Sequence, residues 1–136
     1  MEVQPYLFFD GRCEEAAEFY RSALGAEISA LLRFKESPDQ SMVTPGTAEK
    51  IMHGEMRIGK TTIMLSDGQC GGNPGFQGFA LSITVDDPAE CDRLFNPLAE
   101  TGKVQMPLME TFFAKRFGMV FDKFGVLWMI IKPAHP

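Results

Sequence analysis

Residues 5–26 read PYLFFDGRCEEAAEFYRSALGA and hold a strand, a turn and a helix in that order. Aromatic and aliphatic side chains run from Gln4 to Phe9 and stop at Asp10-Gly11, the pattern of a short strand that closes in a turn. Cys13, Ala16, Ala17, Tyr20 and Leu24 then recur at helical spacing, with Glu14, Glu15, Glu18 and Arg21 between them, so one face is apolar and the other charged. Asp10 stands where an N-cap could sit. Glu14 and Glu15 lie in the first turn, where the helix dipole favours negative charge, and Gly25 marks the stop.

The rest of the chain extends this beginning. Strands are expected at Ala26–Phe34, Ile51–Ile58 and Thr61–Ser66, the last two joined by a tight turn at Gly59-Lys60, with a long polar loop over residues 35–49. Asp67 to Gly75, rich in Gly, Asn and Pro, divides the sequence. A strand at Phe79–Val85 then leads into Asp87-Pro88-Ala89-Glu90, where Asp caps, Pro sits at the first helical position and Glu at the third. Cys91, Leu94, Phe95 and Leu98 form the apolar face of this second helix. Pro97 costs about 3 kcal/mol in a helix interior and should kink or shorten the last turn. Strands follow at Lys103–Thr111, Phe117–Asp122 and Val126–Lys132. The order is βαβββ twice, with Ile58-Gly59 and Phe124-Gly125 in corresponding turns. The expected fold is α+β: two paired βαβββ modules forming a cupped mixed sheet with helices on the outside. The chain then forms one domain over 1–136, with module one at about 1–67, a linker at 68–76 and module two at about 77–136. The cavity that the strands cup is the expected binding site.

Composition narrows the function. A chain of 136 residues supports one core. Thirteen Lys and Arg against eighteen Asp and Glu leave a net charge of −5, which disfavours nucleic acid and anionic lipid as partners. The longest apolar run, Val126–Ile131, is far below the roughly 20 residues of a membrane span, so no membrane partner is expected. The start Met1-Glu2-Val3-Gln4-Pro5 lacks the basic and apolar regions of a signal peptide, and a cytoplasmic location is expected. Cys13 and Cys91 fall at apolar helical positions and read as core, whereas Cys70, in the glycine-rich segment, is the plausible reactive thiol.

Polar candidates are few. Alternation along the third strand puts His53, Glu55 and Arg57 on one face and Met52, Met56 and Ile58 on the other. His53 and Glu55, roughly 7 Å apart along the strand, project either into the cavity or to solvent. A His beside a carboxylate suits a general base or a metal pair; a solvated or structural strand is the plainer alternative. Ser82 and Thr84 form a mildly polar row on the fifth strand. Phe113, Trp128 and Met129 offer aromatic and adaptable apolar surface for a planar ligand, although most such residues serve as core. Arg33, Lys115 and Arg116 are scattered basic residues, either solvated or able to hold an anionic group. His135 lies beside the terminus and is uninformative.

Together these residues resemble a known family. Pro5 to Gly11, Glu15-Ala16, Phe19-Tyr20, Gly25-Ala26, Met52-His53-Gly54-Glu55, Met64 to Asp67, Gly102-Lys103-Val104, Phe117-Gly118-Met119 and Asp122 to Trp128 are similar, in order, to landmarks of the PhnB-like branch of the glyoxalase, bleomycin-resistance and dioxygenase (vicinal oxygen chelate) superfamily. The resemblance covers essentially the whole chain and implies the paired βαβββ fold, usually as a homodimer; open module edges also invite pairing. The branch often carries Trp at the position of Phe113. It is often labelled a demethylubiquinone methyltransferase, but a doubly wound methyltransferase needs a glycine-rich turn after its first strand, and here that turn is Asp10-Gly11-Arg12-Cys13. Metal-dependent relatives place four ligands on facing strands, and those positions fall near Pro5, Ile63, Ala80 and Met129, none of them a suitable donor. Gln4 is the nearby alternative. The expected function is binding of a small, partly apolar organic molecule, with His53 and Glu55 as polar contacts and catalytic candidates, and no cofactor predicted. The alternatives are a metal-dependent lyase, isomerase or dioxygenase with a divalent metal on His53, Glu55 and Gln4, or a drug-sequestering protein that holds a planar compound on its aromatic wall.

Overall fold

Each helix of the chain is followed by three antiparallel strands, and in each case the strand before the helix returns to pair parallel with the last of the three. A computed structural model describes residues 1–68 and 75–135 and divides the chain into two compact units, Met1–Pro74 and Gly75–Pro136. The first holds β1 (Tyr6–Phe8), α1 (Cys13–Leu24), β2 (Glu27–Arg33), β3 (Ile51–Ile58) and β4 (Thr61–Ser66), in sheet order β1-β4-β3-β2. The second holds β5 (Leu81–Thr84), α2 (Pro88–Glu100), β6 (Lys103–Met109), β7 (Ala114–Phe121) and β8 (Leu127–Pro133), in the order β5-β8-β7-β6. The fold is therefore α+β, two βαβββ modules each with a four-stranded mixed sheet. Cys70 and the glycine-rich segment around it lie outside the described residues.

In the first unit α1 buries Cys13, Ala16, Ala17, Tyr20, Ala23 and Leu24, and the sheet contributes Leu7, Met56, Ile63 and Leu65 to the core. These strand residues alternate with Tyr6, Phe8, Glu55, Met64 and Ser66, so period-two alternation assigns them to opposite sheet faces. Gly54 is needed on the core side, since a Cβ there would stand 2.9 Å from Leu31 Cδ2 and 3.2 Å from the Ala30 carbonyl. Gly118 in the second unit is squeezed in the same way by Phe95 at 2.8 Å and Leu108 at 2.9 Å. Here Cys91, Leu94, Phe95 and Leu98 of α2 supply the core with Val120, Trp128 and Ile130. Both described cysteines of the chain, Cys13 and Cys91, are buried.

Four local expectations are corrected. Asp10 does not cap α1: it takes a left-handed conformation (φ 51°), and the N-cap is Arg12, whose side chain makes no cap bond. Two amides at this helix start are served by Asp67, 54 residues from Cys13, whose Oδ1 accepts from Cys13 N at 2.8 Å and from Gly11 N at 2.7 Å. Pro97 does not shorten α2, which runs on to Glu100; the burial of Leu98 beyond the proline holds the last turn. Two short 3-10 turns, Phe34–Glu36 and Gln40–Met42, interrupt the expected 35–49 loop, the first beginning one residue before it. Strand β7 begins at Ala114, three residues early, because Ala114 and Arg116 pair with Pro133 and Lys132 around a bulge. The Asp87 cap holds, its carboxylate accepting from Ala89 N at 2.9 Å. No helix among the described residues is long and apolar enough to cross a membrane.

Candidate functional site

Strand register builds the site. Tyr6 of β1 pairs with Met64 of β4, which pairs with Glu55 of β3, so the three lie in one row across the sheet, with His53 two residues from Glu55 on the same side. The Tyr6 hydroxyl and His53 Nδ1 are 2.8 Å apart, and their rings are tilted with centroids 5.6 Å apart. On its other nitrogen, His53 Nε2 makes a long contact of 3.4 Å with Glu55 Oε2. Tyr6 also stacks on Phe8, with centroids 4.9 Å apart and an interplanar angle of 18°. Both rings are accessible, Tyr6 37% and Phe8 51% exposed. The result is a stacked, partly exposed aromatic pair beside a hydrogen-bonded chain of hydroxyl, imidazole and carboxylate.

Partial burial raises the Tyr6 hydroxyl above the ordinary phenol value, with the neighbouring Ser66 hydroxyl opposing. Ser66 directs its own proton to the Met52 carbonyl at 2.8 Å and accepts from Gly68 N at 2.9 Å. Tyr6 is therefore a protonated phenol near neutral pH. The chain it forms can present hydrogen-bonding atoms to a molecule beside the ring pair and can carry a proton between Tyr6 and His53.

The residues singled out from sequence do not all meet. His53 and Glu55 are joined as neighbours on β3. Gln4 is half-buried just ahead of β1, and the hydrogen bonds of His53 and Glu55 run to Tyr6 and to each other rather than to it. In the second unit Ser82 and Met129 are register partners. Trp128, next to Met129 on the strand, necessarily points to the opposite face. It is only 1% exposed, and its indole N–H donates to Asp122 Oδ2 at 2.9 Å. It is a core residue rather than part of an aromatic wall, which corrects its assignment to a pocket. Phe113 is 44% exposed in the β6–β7 turn and packs edge-on against Phe112 and Phe117. Its carbonyl accepts from Ala134 N, five residues and roughly 16 Å along the chain from Met129. Arg33 is bound twice to Glu14, at 2.6 and 3.1 Å, and Arg116 twice to Asp92, at 2.7 and 2.9 Å, so both guanidinium groups are committed.

Sequence reasoning missed Tyr6 and Phe8. The signal was available in the alternation of Pro5–Phe9, where Leu7 and Phe9 are buried and Tyr6 and Phe8 are not. It also missed Asp67, 2% exposed, whose Oδ2 accepts from Ile51 N at 2.8 Å in addition to the two bonds at the start of α1.

Two hollows lie apart from this chain of polar groups. One of about 300 Å³ in the first unit is lined by Glu14, Arg33, Glu49, Lys50 and Asp67, and its charges are already engaged with one another or with backbone. One of about 420 Å³ in the second unit is lined by Phe76, Phe79, Ala80, Phe121 and Leu127 and is almost wholly apolar. Neither offers unengaged chemistry comparable with Tyr6, His53 and Glu55. For a divalent metal, the mapped positions Pro5, Ile63, Ala80 and Met129 offer no imidazole or carboxylate, and no group of three or more His, Cys, Asp or Glu converges among the described residues. The donor set does not fit the metal sites of metal-dependent relatives.

This architecture is that of glyoxalase/bleomycin resistance/dioxygenase proteins. A family enzyme from Burkholderia phytofirmans shares it at a TM-score of 0.60 and 16% identity, over 96% of this chain and 94% of the other, a likeness of fold alone. The crystal structure of protein PA1353 from Pseudomonas aeruginosa is similar at 42% identity and a TM-score of 0.86, covering 97% of both chains. The PhnB protein from Bacillus cereus is similar at 29% identity and a TM-score of 0.82, over 97% of this chain and 99% of that one. The family model described as 3-demethylubiquinone-9 3-methyltransferase matches residues 1–131, and the chain belongs to that family, within the PhnB-like branch.

Proposed function

We propose that this chain binds a small, partly apolar organic molecule against Tyr6, Phe8, His53 and Glu55. The observation that supports this most is the placement of an accessible stacked ring pair, Tyr6 and Phe8, beside a hydrogen-bonded His53 and Glu55 on one sheet face. Apolar surface supplies affinity, and a few convergent polar groups set orientation, as small-molecule sites require. The methyl transfer named in the family description would, in a doubly wound enzyme, need a glycine-rich turn and a parallel sheet. This chain has Asp10-Gly11-Arg12 after β1 and mixed sheets.

The test is an NMR screen with flat fragments such as indole, 1-naphthol and quinoline. Perturbations centred on Tyr6, Phe8 and His53, and lost in Phe8→Ala, are the expected result. Perturbations confined to Phe79 and Leu127, in the apolar hollow of the second unit, would overturn the assignment.

A further inference from the structure

We propose that the molecule bound at this face is planar and presents hydrogen-bond donors, N–H or O–H, along the edge it turns toward Tyr6 and Glu55. This rests on the site proposed above and adds its ligand class. The argument follows from proton bookkeeping. A carboxylate accepts and does not donate, so the contact between His53 Nε2 and Glu55 Oε2 places the ring proton on Nε2. On a ring that carries this one proton Nδ1 is bare, and the 2.8 Å bond to Tyr6 is then one in which the tyrosine donates its single proton. Ser66, near the same hydroxyl, spends its proton on the Met52 carbonyl. What Tyr6 and Glu55 have left to offer a ligand is lone pairs.

The charges nearby do not reverse this polarity. Arg57, which shares the strand face with His53 and Glu55, is held by Glu27 at 2.6 Å across the β2–β3 ladder. No Lys or Arg pairs with Glu55 among the described residues. An anionic ligand would meet the Glu55 carboxylate without a compensating cation, whereas a donor edge satisfies both acceptors. The ring pair Tyr6 and Phe8, stacked nearly parallel at 18°, favours a flat body that can extend the stack.

Benzamidine and benzoate share a shape and differ in charge and in presenting N–H donors or acceptor oxygens; Glu55→Gln, which leaves the rest of the chain's net charge of −5 nearly unchanged, tells a preference local to this edge from general attraction of a cation. The full chain is titrated with each while the signals of Tyr6 and His53 are followed by NMR. Benzamidine is expected to move those signals and to bind at least about tenfold more tightly than benzoate, and Glu55→Gln is expected to erase the preference. Glu55 is half-exposed, so the variant should fold, and its spectrum shows whether it does. Benzoate binding at the same signals as tightly as benzamidine, or a preference untouched in Glu55→Gln, would overturn the ligand class and leave the site standing. Movement of neither Tyr6 nor His53 by either compound would overturn the site and the ligand class together.

Discussion

The two units repeat one backbone and differ in what the backbone carries. In the first, the central row across the sheet is Tyr6, Met64 and Glu55; in the second, the matching row is Ser82, Met129 and Met119. The crowded glycines coincide as well, Gly54 opposite Leu65 and Gly118 opposite Ile130. One step along, Phe8 pairs with Ser66 in the first unit, and Thr84 pairs with Ile131 in the second. The aromatic and titratable groups of the first face thus give way to methionines and small hydroxyls. Core positions are dictated by packing and so recur, while the accessible face is free to diverge, and only one of the two copies assembles a hydroxyl, an imidazole and a carboxylate.

The contrast can be attacked through stability first. Asp67 and Asp122 are both buried and each accepts three N–H groups of the described residues, but at different places in the repeat: Asp67 ties the start of α1 to β3, while Asp122 shapes the β7–β8 turn through Phe124 N and Val126 N and holds Trp128. Asp67→Ala strands three donors, two of them at a helix start, and is expected to cost on the order of 3 kcal/mol or more in urea unfolding. A cost below about 1 kcal/mol would mean that the helix start is served some other way. Trp128→Phe removes one donor to Asp122 and some volume, for an expected loss of about 2 kcal/mol. Fragment binding should be unchanged in that variant; lost binding with full stability would return Trp128 to the site.

The next effect concerns ligand. Phe8→Ala should weaken binding of a flat fragment about tenfold, while Thr84→Ala, at the matching place in the second unit, should change it less than about twofold. Equal effects would erase the distinction between the faces. The smallest effect is electrostatic. In each unit an arginine of the sheet grips a carboxylate of the helix, Arg33 with Glu14 and Arg116 with Asp92. The hydrogen bond from Arg116 holds the Asp92 carboxyl below its usual range. A group depressed in the folded state lends stability above its unfolded value, near 3.8, and loses it as pH falls through the lower folded value. Solvent screening of this half-exposed pair keeps the contribution under about 1 kcal/mol, so Asp92→Asn should lower stability slightly at pH 7, with an effect that shrinks as pH falls below 3.8.

Much of the fold was legible because apolar spacing is set by the core. The Cys13 to Leu24 face, strand β3 from Ile51 to Ile58 and strand β4 from Thr61 to Ser66 could be read from periodicity alone. What escaped were features made by residues distant in sequence. No local rule connects Asp67 to the amide of Cys13, so Asp10 looked like the cap. Pro97 has a poor intrinsic propensity that tertiary burial of Leu98 overrides. His53 and Glu55 were visible as an alternating pair, but Tyr6 joins them only through the parallel pairing of β1 with β4, which a single strand does not reveal. Trp128 and Met129 cannot share a wall because adjacent strand residues face opposite ways.

The central claim is that Tyr6, His53 and Glu55 form one ordered chain that exposes acceptors. Long-range 15N NMR of the histidine side chains near neutral pH tests it directly, with His53→Ala to separate His53 from His135. The account predicts that His53 is protonated on Nε2, and that Tyr6→Phe moves its Nδ1 resonance toward that of an unbonded imidazole nitrogen. A proton on Nδ1, or an Nδ1 signal indifferent to loss of the Tyr6 hydroxyl, would contradict it.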